Sequence, residues 1–76
     1  MIEMTLDRLR PGQRARILVL RCAPALRRRL RELGAIEGTE ICCLGPGPLG
    51  DPTAYLLQGA AIALRRQDCR DIEVEV

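Results

Sequence analysis

The side chains in this sequence with the most distinctive chemistry are its arginines and cysteines. All twelve basic residues are arginine, four cysteines are present, and histidine is absent. An arginine guanidinium is always charged and offers a fork of donors that fits carboxylates and phosphates. Nine arginines lie between Arg8 and Arg31 with no acid among them, a local charge of +9. From Gln67 to Val76, Asp68, Asp71, Glu73 and Glu75 stand against Arg70, giving −3. A basic front and an acidic tail predict either an acidic partner or pairing within the molecule between edge strands.

Cys22, Cys42, Cys43 and Cys69 lack the two-residue gaps of a zinc site, and no histidine can complete one. Two are adjacent in a predicted strand, where successive side chains face opposite ways. The expectation is free thiols filling small core sites in a reducing compartment, with no metal, no cofactor and no catalytic residues. With one tyrosine and no carboxylates paired on a common element, an enzyme is disfavoured.

These side chains need a scaffold. Seventy-six residues make one domain, residues 1–76, near the lower limit for a single core. Pro24 to Leu33 predicts a helix. Leu26, Leu30 and Leu33 fall within about 60° of one another, an apolar stripe that must pack on something. Arg27, Arg28 and Arg31 point away from the stripe. Arg29 lies beside it, with its stem expected on the core and its guanidinium on a carbonyl or carboxylate. Pro24 suits the first turn and Gly34 the left-handed stop.

Before the helix, Gln13 to Arg21 reads as a strand with Ala15, Ile17 and Val19 inward and Arg14 and Arg16 outward. After it come a turn containing Gly38, a strand Thr39–Leu44, and a loop from Gly45 to Pro52 with three glycines and three prolines. Strands follow at Thr53–Gln58 and Ile62–Arg66, joined by a reversal at Gly59-Ala60. Gln67–Asp71 is a turn or a single helical turn, and the alternating Ile72–Val76 is a last strand. Asp51 is expected to cap the loop's own amides, and one of Arg65 and Arg66 to pair with the acidic tail. Five short antiparallel strands with one helix inserted after the first predict a mainly β, small α+β fold rolled into a barrel.

The acids Glu3 and Asp7 and the lack of a following apolar run do not suit a signal peptide. The longest uncharged segment, Pro52–Leu64, is too short to span a bilayer as a helix. A soluble, cytoplasmic protein is expected.

The ordered set Leu6, Leu9, Pro11-Gly12; Arg29-Leu30, Leu33-Gly34, Gly38; Pro48-Leu49-Gly50-Asp51-Pro52; Gly59; Ala63-Leu64-Arg65-Arg66; and Ile72-Glu73-Val74 resembles the FeoA family across nearly the whole chain. That resemblance implies an SH3-like five-stranded barrel. It also implies a non-enzymatic accessory of bacterial ferrous iron uptake, acting with the cytoplasmic G-protein region of the FeoB permease at the inner face of the membrane. Arg29, Leu30, Leu33, Gly34, Gly38, Gly59, Leu64 and Arg65 would then form the structural frame. Arg27, Arg28 and Arg31, with the stiff loop Pro48 to Pro52, are the candidate partner contacts. Two alternatives stand beside this. The resemblance extends to the C-terminal SH3-like domain of metal-dependent, diphtheria-toxin-repressor-type regulators, and the basic front would suit a nucleic-acid-binding barrel.

Overall fold

A computed structural model describes all 76 residues. Six strands form one antiparallel sheet: β1 (Glu3–Thr5), β2 (Arg14–Leu20), β3 (Glu40–Pro46), β4 (Thr53–Leu57), β5 (Ala60–Leu64) and β6 (Ile72–Glu75), in the order β1-β6-β2-β3-β4-β5. A 3-10 turn at Leu6–Arg8, helix α1 (Pro24–Glu32) and a one-turn helix α2 (Arg66–Cys69) complete the chain. The expected small antiparallel fold with one substantial helix is present, with a sixth strand. β1 has only three residues, too few to show a period of two, and it is held by pairing to β6.

β2 makes the sheet coil. It pairs with β3 through Arg14–Arg16 and with β6 from Arg16 to Leu20, passing from one neighbour to the other along its length. A bulge between Ile17 and Val19 shifts the register. Ala15 and Ile17 are buried as expected, but Val19 is 36% exposed because the bulge interrupts the alternation. The core gathers residues from every part of the chain, including Leu6, Cys22, Leu30, Ile41, Tyr55, Leu64 and Val74. At one pole, Leu6 from the 3-10 turn and Cys69 from α2 are fully buried, and the Tyr55 hydroxyl donates to the Leu6 carbonyl at 3.4 Å.

Several boundaries move. β3 continues through Gly45 and Pro46, where the glycines and prolines predict a loop. β2 pairs β3 only as far as Cys42, so Pro46 lies where no second neighbour needs its missing N–H. The β4–β5 reversal is Gln58-Gly59, both at positive φ, and Ala60 already belongs to β5. These conformations suit a two-residue hairpin turn. β5 ends at Leu64, and α2 begins at Arg66.

Gly34 has φ +97 and ends α1 with paired bonds, Ala35 N–H to Leu30 O at 2.9 Å and Gly34 N–H to Arg31 O at 3.0 Å. A Cβ here would stand 2.9 Å from Gln58 Cγ, whereas at Gly38, also at positive φ, it would meet nothing. Gly34→Ala is expected to cost about 1–2 kcal/mol, and no less than Gly38→Ala, by urea unfolding. Equal stability of Gly34→Ala and the parent would mean that the helix stop is not constrained by its left-handed turn.

Candidate partner-binding surface

α1 has no side-chain cap and carries Pro24 in its first turn. Leu30 is buried, Leu26 is half-buried against the core, and Leu33 is 36% exposed. The apolar stripe is thus anchored mainly by Leu30, with Ala35 buried just beyond the helix. Arg27, Arg28 and Arg31 line one open depression together with Pro24 and Glu32. Arg28 and Arg31 are exposed and Arg27 is half-buried. None of them has a carboxylate within salt-bridge distance; the one ion pair of the fold joins Arg21 to Glu73.

The Arg27 end of the helix borders Cys22. Burial pushes the Cys22 thiol above its usual range, while a hydrogen bond from its own backbone and the Arg27 charge oppose the rise. Asp68 and Asp71 act upward on the same thiol, so the acids of the α2 region lie near the start of α1.

Arg29 differs from expectation. Its side chain is exposed and makes no hydrogen bond or ion pair, because it lies on the solvent side of a helix whose core contact is centred on Leu30. Arg65 and Arg66 also differ. Neither meets the acidic tail: Glu73 is taken by Arg21, which β2–β6 pairing brings beside it. The pairing between basic front and acidic tail therefore occurs between neighbouring interior strands, β2 and β6, rather than between edges. Arg16, opposite Glu75 in the register, donates instead to the Gly38 carbonyl at 3.0 Å. Arg65 is extended and its carbonyl accepts the amides of Asp68 and Cys69 in α2.

The loop from Gly47 closes on itself through Gly47 N–H to Pro52 O at 3.1 Å and Gly50 N–H to Gly47 O at 2.9 Å. Leu49 projects at its tip, 93% exposed, between exposed Pro48 and Gly50, which has φ +86. Asp51 does not cap this loop. Its Oδ1 accepts the Arg66 backbone N–H at 2.9 Å, tying the loop to the start of α2. The Asp51–Pro52 peptide is cis. No hydrogen bond or ion pair joins Pro48–Pro52 to Arg27, Arg28 and Arg31, and the loop does not line the depression that these arginines share. Gly38 and Gly59 occupy turns at positive φ, and Leu64 is buried.

Sequence reasoning did not identify the buried meeting of Leu6, Tyr55 and Cys69. Its one available signal was the presence of a single aromatic residue, which in so small a core must occupy a central place. Burial pushes the Cys69 thiol up to about 11, although the adjacent Tyr55 hydroxyl favours its thiolate. Burial, then contact with Cys69, raises the Tyr55 hydroxyl well above the usual tyrosine range. Cys43 is likewise raised by burial. All four cysteines are free thiols, and no three of the Cys, Asp and Glu side chains converge. With Tyr55 1% exposed, the surface offers no aromatic platform on which bases could stack. No helix is long and apolar enough to cross a membrane.

A coiled antiparallel sheet, one arginine-faced helix and a short turn closing the pole define a small SH3-like module. The FeoA domain model matches residues 4–76, and the chain belongs to the FeoA domain family. The Fe(2+) transport protein A/Fe(2+) transporter FeoB fusion protein of Porphyromonas gingivalis is 34% identical over 73 residues. That match covers 96% of this chain and 9% of the fusion protein. The solution structure of the Chlorobium tepidum FeoA protein has a TM-score of 0.91 at 36% identity, over 96% of this chain and 70% of that one. The zinc complex of Stenotrophomonas maltophilia FeoA, described as a procaryotic SH3 domain protein, gives 0.82 at 30% identity, over 95% of this chain and 89% of that one.

Proposed function

We propose that this domain is a non-enzymatic accessory of ferrous iron uptake that docks on the cytoplasmic G-protein region of a FeoB-type permease through Arg27, Arg28 and Arg31. The observation that carries the reading is the relative in which a homologous domain and the FeoB transporter share one polypeptide. Fusion keeps two partners at high effective concentration, a benefit that exists only if they act together. Three guanidinium groups without internal carboxylate partners form the local site suited to an acidic patch. Glu32 in the same depression lowers its charge by one, so orientation within the patch matters as well as net charge. The loop Pro48–Pro52, with exposed Leu49 at its tip, is a second contact.

The test adds the purified domain to the detergent-solubilised permease and follows co-elution and GTP hydrolysis in each nucleotide state. Reversing Arg27, Arg28 and Arg31 to glutamate is expected to weaken association on the order of 100-fold and to flatten its salt dependence, taking about 1 kcal/mol per arginine near a charged surface. Unchanged affinity and salt dependence would remove the arginine face from the interface. No association in any nucleotide state would overturn the function itself.

A further inference from the structure

The two edges of the sheet are built differently. β1 has three residues, includes the exposed acid Glu3, and is too short to template another strand. β5 has five residues, Ala-Ala-Ile-Ala-Leu, with no charge, no proline and an unbroken register against β4. Between Ile41 and Leu64 the only charged residue is Asp51, and it is engaged with Arg66.

The hairpin geometry tells which backbone groups face outward. With a two-residue turn, Leu57 and Ala60 form a hydrogen-bonded pair, as do Tyr55 with Ile62 and Thr53 with Leu64. The N–H and C=O groups of Ala61 and Ala63 therefore point away from β4. No backbone or side-chain hydrogen bond from elsewhere in the fold reaches them, and both residues are exposed. The outer face behind this edge is apolar too. Cys42, Leu56 and Ala61 lie opposite one another in one row and Ala54 and Ala63 in the next, with Leu44 49% and Leu56 41% exposed.

We propose that β5 is a self-association edge, pairing antiparallel with β5 of a second copy about a two-fold axis through Ile62. In this register Ala61 of each chain faces Ala63 of the other, so the four outward groups of each strand find complementary partners. Such a pairing is isologous and closes at two chains. The charges permit it. Arg65 and Arg66, following β5, lie opposite Gly59 and Gln58 of the second copy rather than opposite each other, and no like charges meet. The row Cys42-Leu56-Ala61 then continues into Ala63 and Ala54 of the second copy as one apolar surface across the dyad. An edge of five residues makes a small interface, so the dimer is weak and dependent on concentration.

The experiment is sedimentation equilibrium of the intact protein up to about 1 mM, a range in which weak pairing is populated. The apparent mass is expected to rise from 8.4 kDa toward twice that value. Ala61→Pro removes an outward N–H without touching the β4 ladder and should abolish the rise. The double variant Ala61→Glu/Ala63→Glu places like charges opposite each other on an exposed face and should stay monomeric with an unchanged circular dichroism spectrum. Mixing it with Ala61→Arg/Ala63→Arg should restore dimers, a rescue that misfolding cannot mimic. A wild-type protein that stays monomeric throughout, or a dimer unaffected by the double glutamate variant, overturns the proposal.

Discussion

Replacing Tyr55 with alanine is expected to remove about 3–5 kcal/mol of folding stability, the range found when a large aromatic is deleted from a core. That is close to all that one core of this size provides. Tyr55 is the only aromatic residue, 1% exposed, and the largest of the fully buried side chains. It stands on β4 and fills the pole where Leu6 and Cys69 meet. Both neighbours arrive from short elements with little pairing of their own, a 3-10 turn and a single turn of α2, which pack on each other. A cavity there would remove the surface that holds both in place. Tyr55→Phe tests the packing separately from the hydrogen bond. The hydroxyl bond to Leu6 O is long at 3.4 Å, so its loss is expected to cost about 1 kcal/mol or less. Urea unfolding should show the alanine variant largely unfolded at temperatures where the phenylalanine variant is native. A cost below about 1 kcal/mol for alanine would show that the pole is not part of the cooperative core.

The contrast between what could and could not be read from the sequence follows the reach of each interaction. Pro24 and Gly34 bracket α1 because first-turn proline and left-handed glycine act within a few residues, and both lie where expected. β6 was legible because Ile72 and Val74 alternate with Glu73 and Glu75, and the first pair is buried. The interactions that escaped are long-range. Asp51 next to a proline reads as a local cap, yet its partner is the amide of Arg66, fifteen positions away. Arg21 finds Glu73 across 52 positions because β2 and β6 are neighbours, a fact of topology that leaves no mark around either residue. The bulge between Ile17 and Val19 is equally silent: Ile17-Leu18-Val19-Leu20 is an unbroken apolar run in which a slip of one residue leaves no mark, while the bending sheet exposes Val19. Arg29 failed for a subtler reason. Helical angle fixes which residues share a face, but only the packed structure shows that the contact is narrow and centred on Leu30 rather than spread over the stripe. The candidate surface was accordingly legible as a set of arginines on one helix, whereas the tie of the Pro48–Pro52 loop to α2 through Asp51 was not.

Raising the pH from 8 to 11 is expected to lower folding stability by at least about 2–3 kcal/mol, most of it through the same pole. The Cys69 thiol is raised by burial from an ordinary 9.0 to about 11. Between these values the unfolded chain releases this proton while the folded protein retains it. The native state therefore binds more protons, and stability falls as pH rises. The contribution is fully present below pH 9 and is lost as pH passes through about 11; a separation of two units corresponds to about 2–3 kcal/mol. Tyr55, raised in the same direction by burial, adds to the loss above pH 10, and the buried thiols of Cys22 and Cys43 have the same sign. Urea unfolding at pH 8, 10 and 11 measures the slope. Cys69→Ala should reduce that slope by the thiol's share even though the variant starts from a lower stability at pH 8, since it cannot ionise. A wild-type slope identical to that of Cys69→Ala would show that the thiol ionises as readily in the folded protein as in the unfolded chain. Such a result would place water at the pole between Leu6, Tyr55 and Cys69, and with it would go the packing argument for the size of the Tyr55→Ala effect.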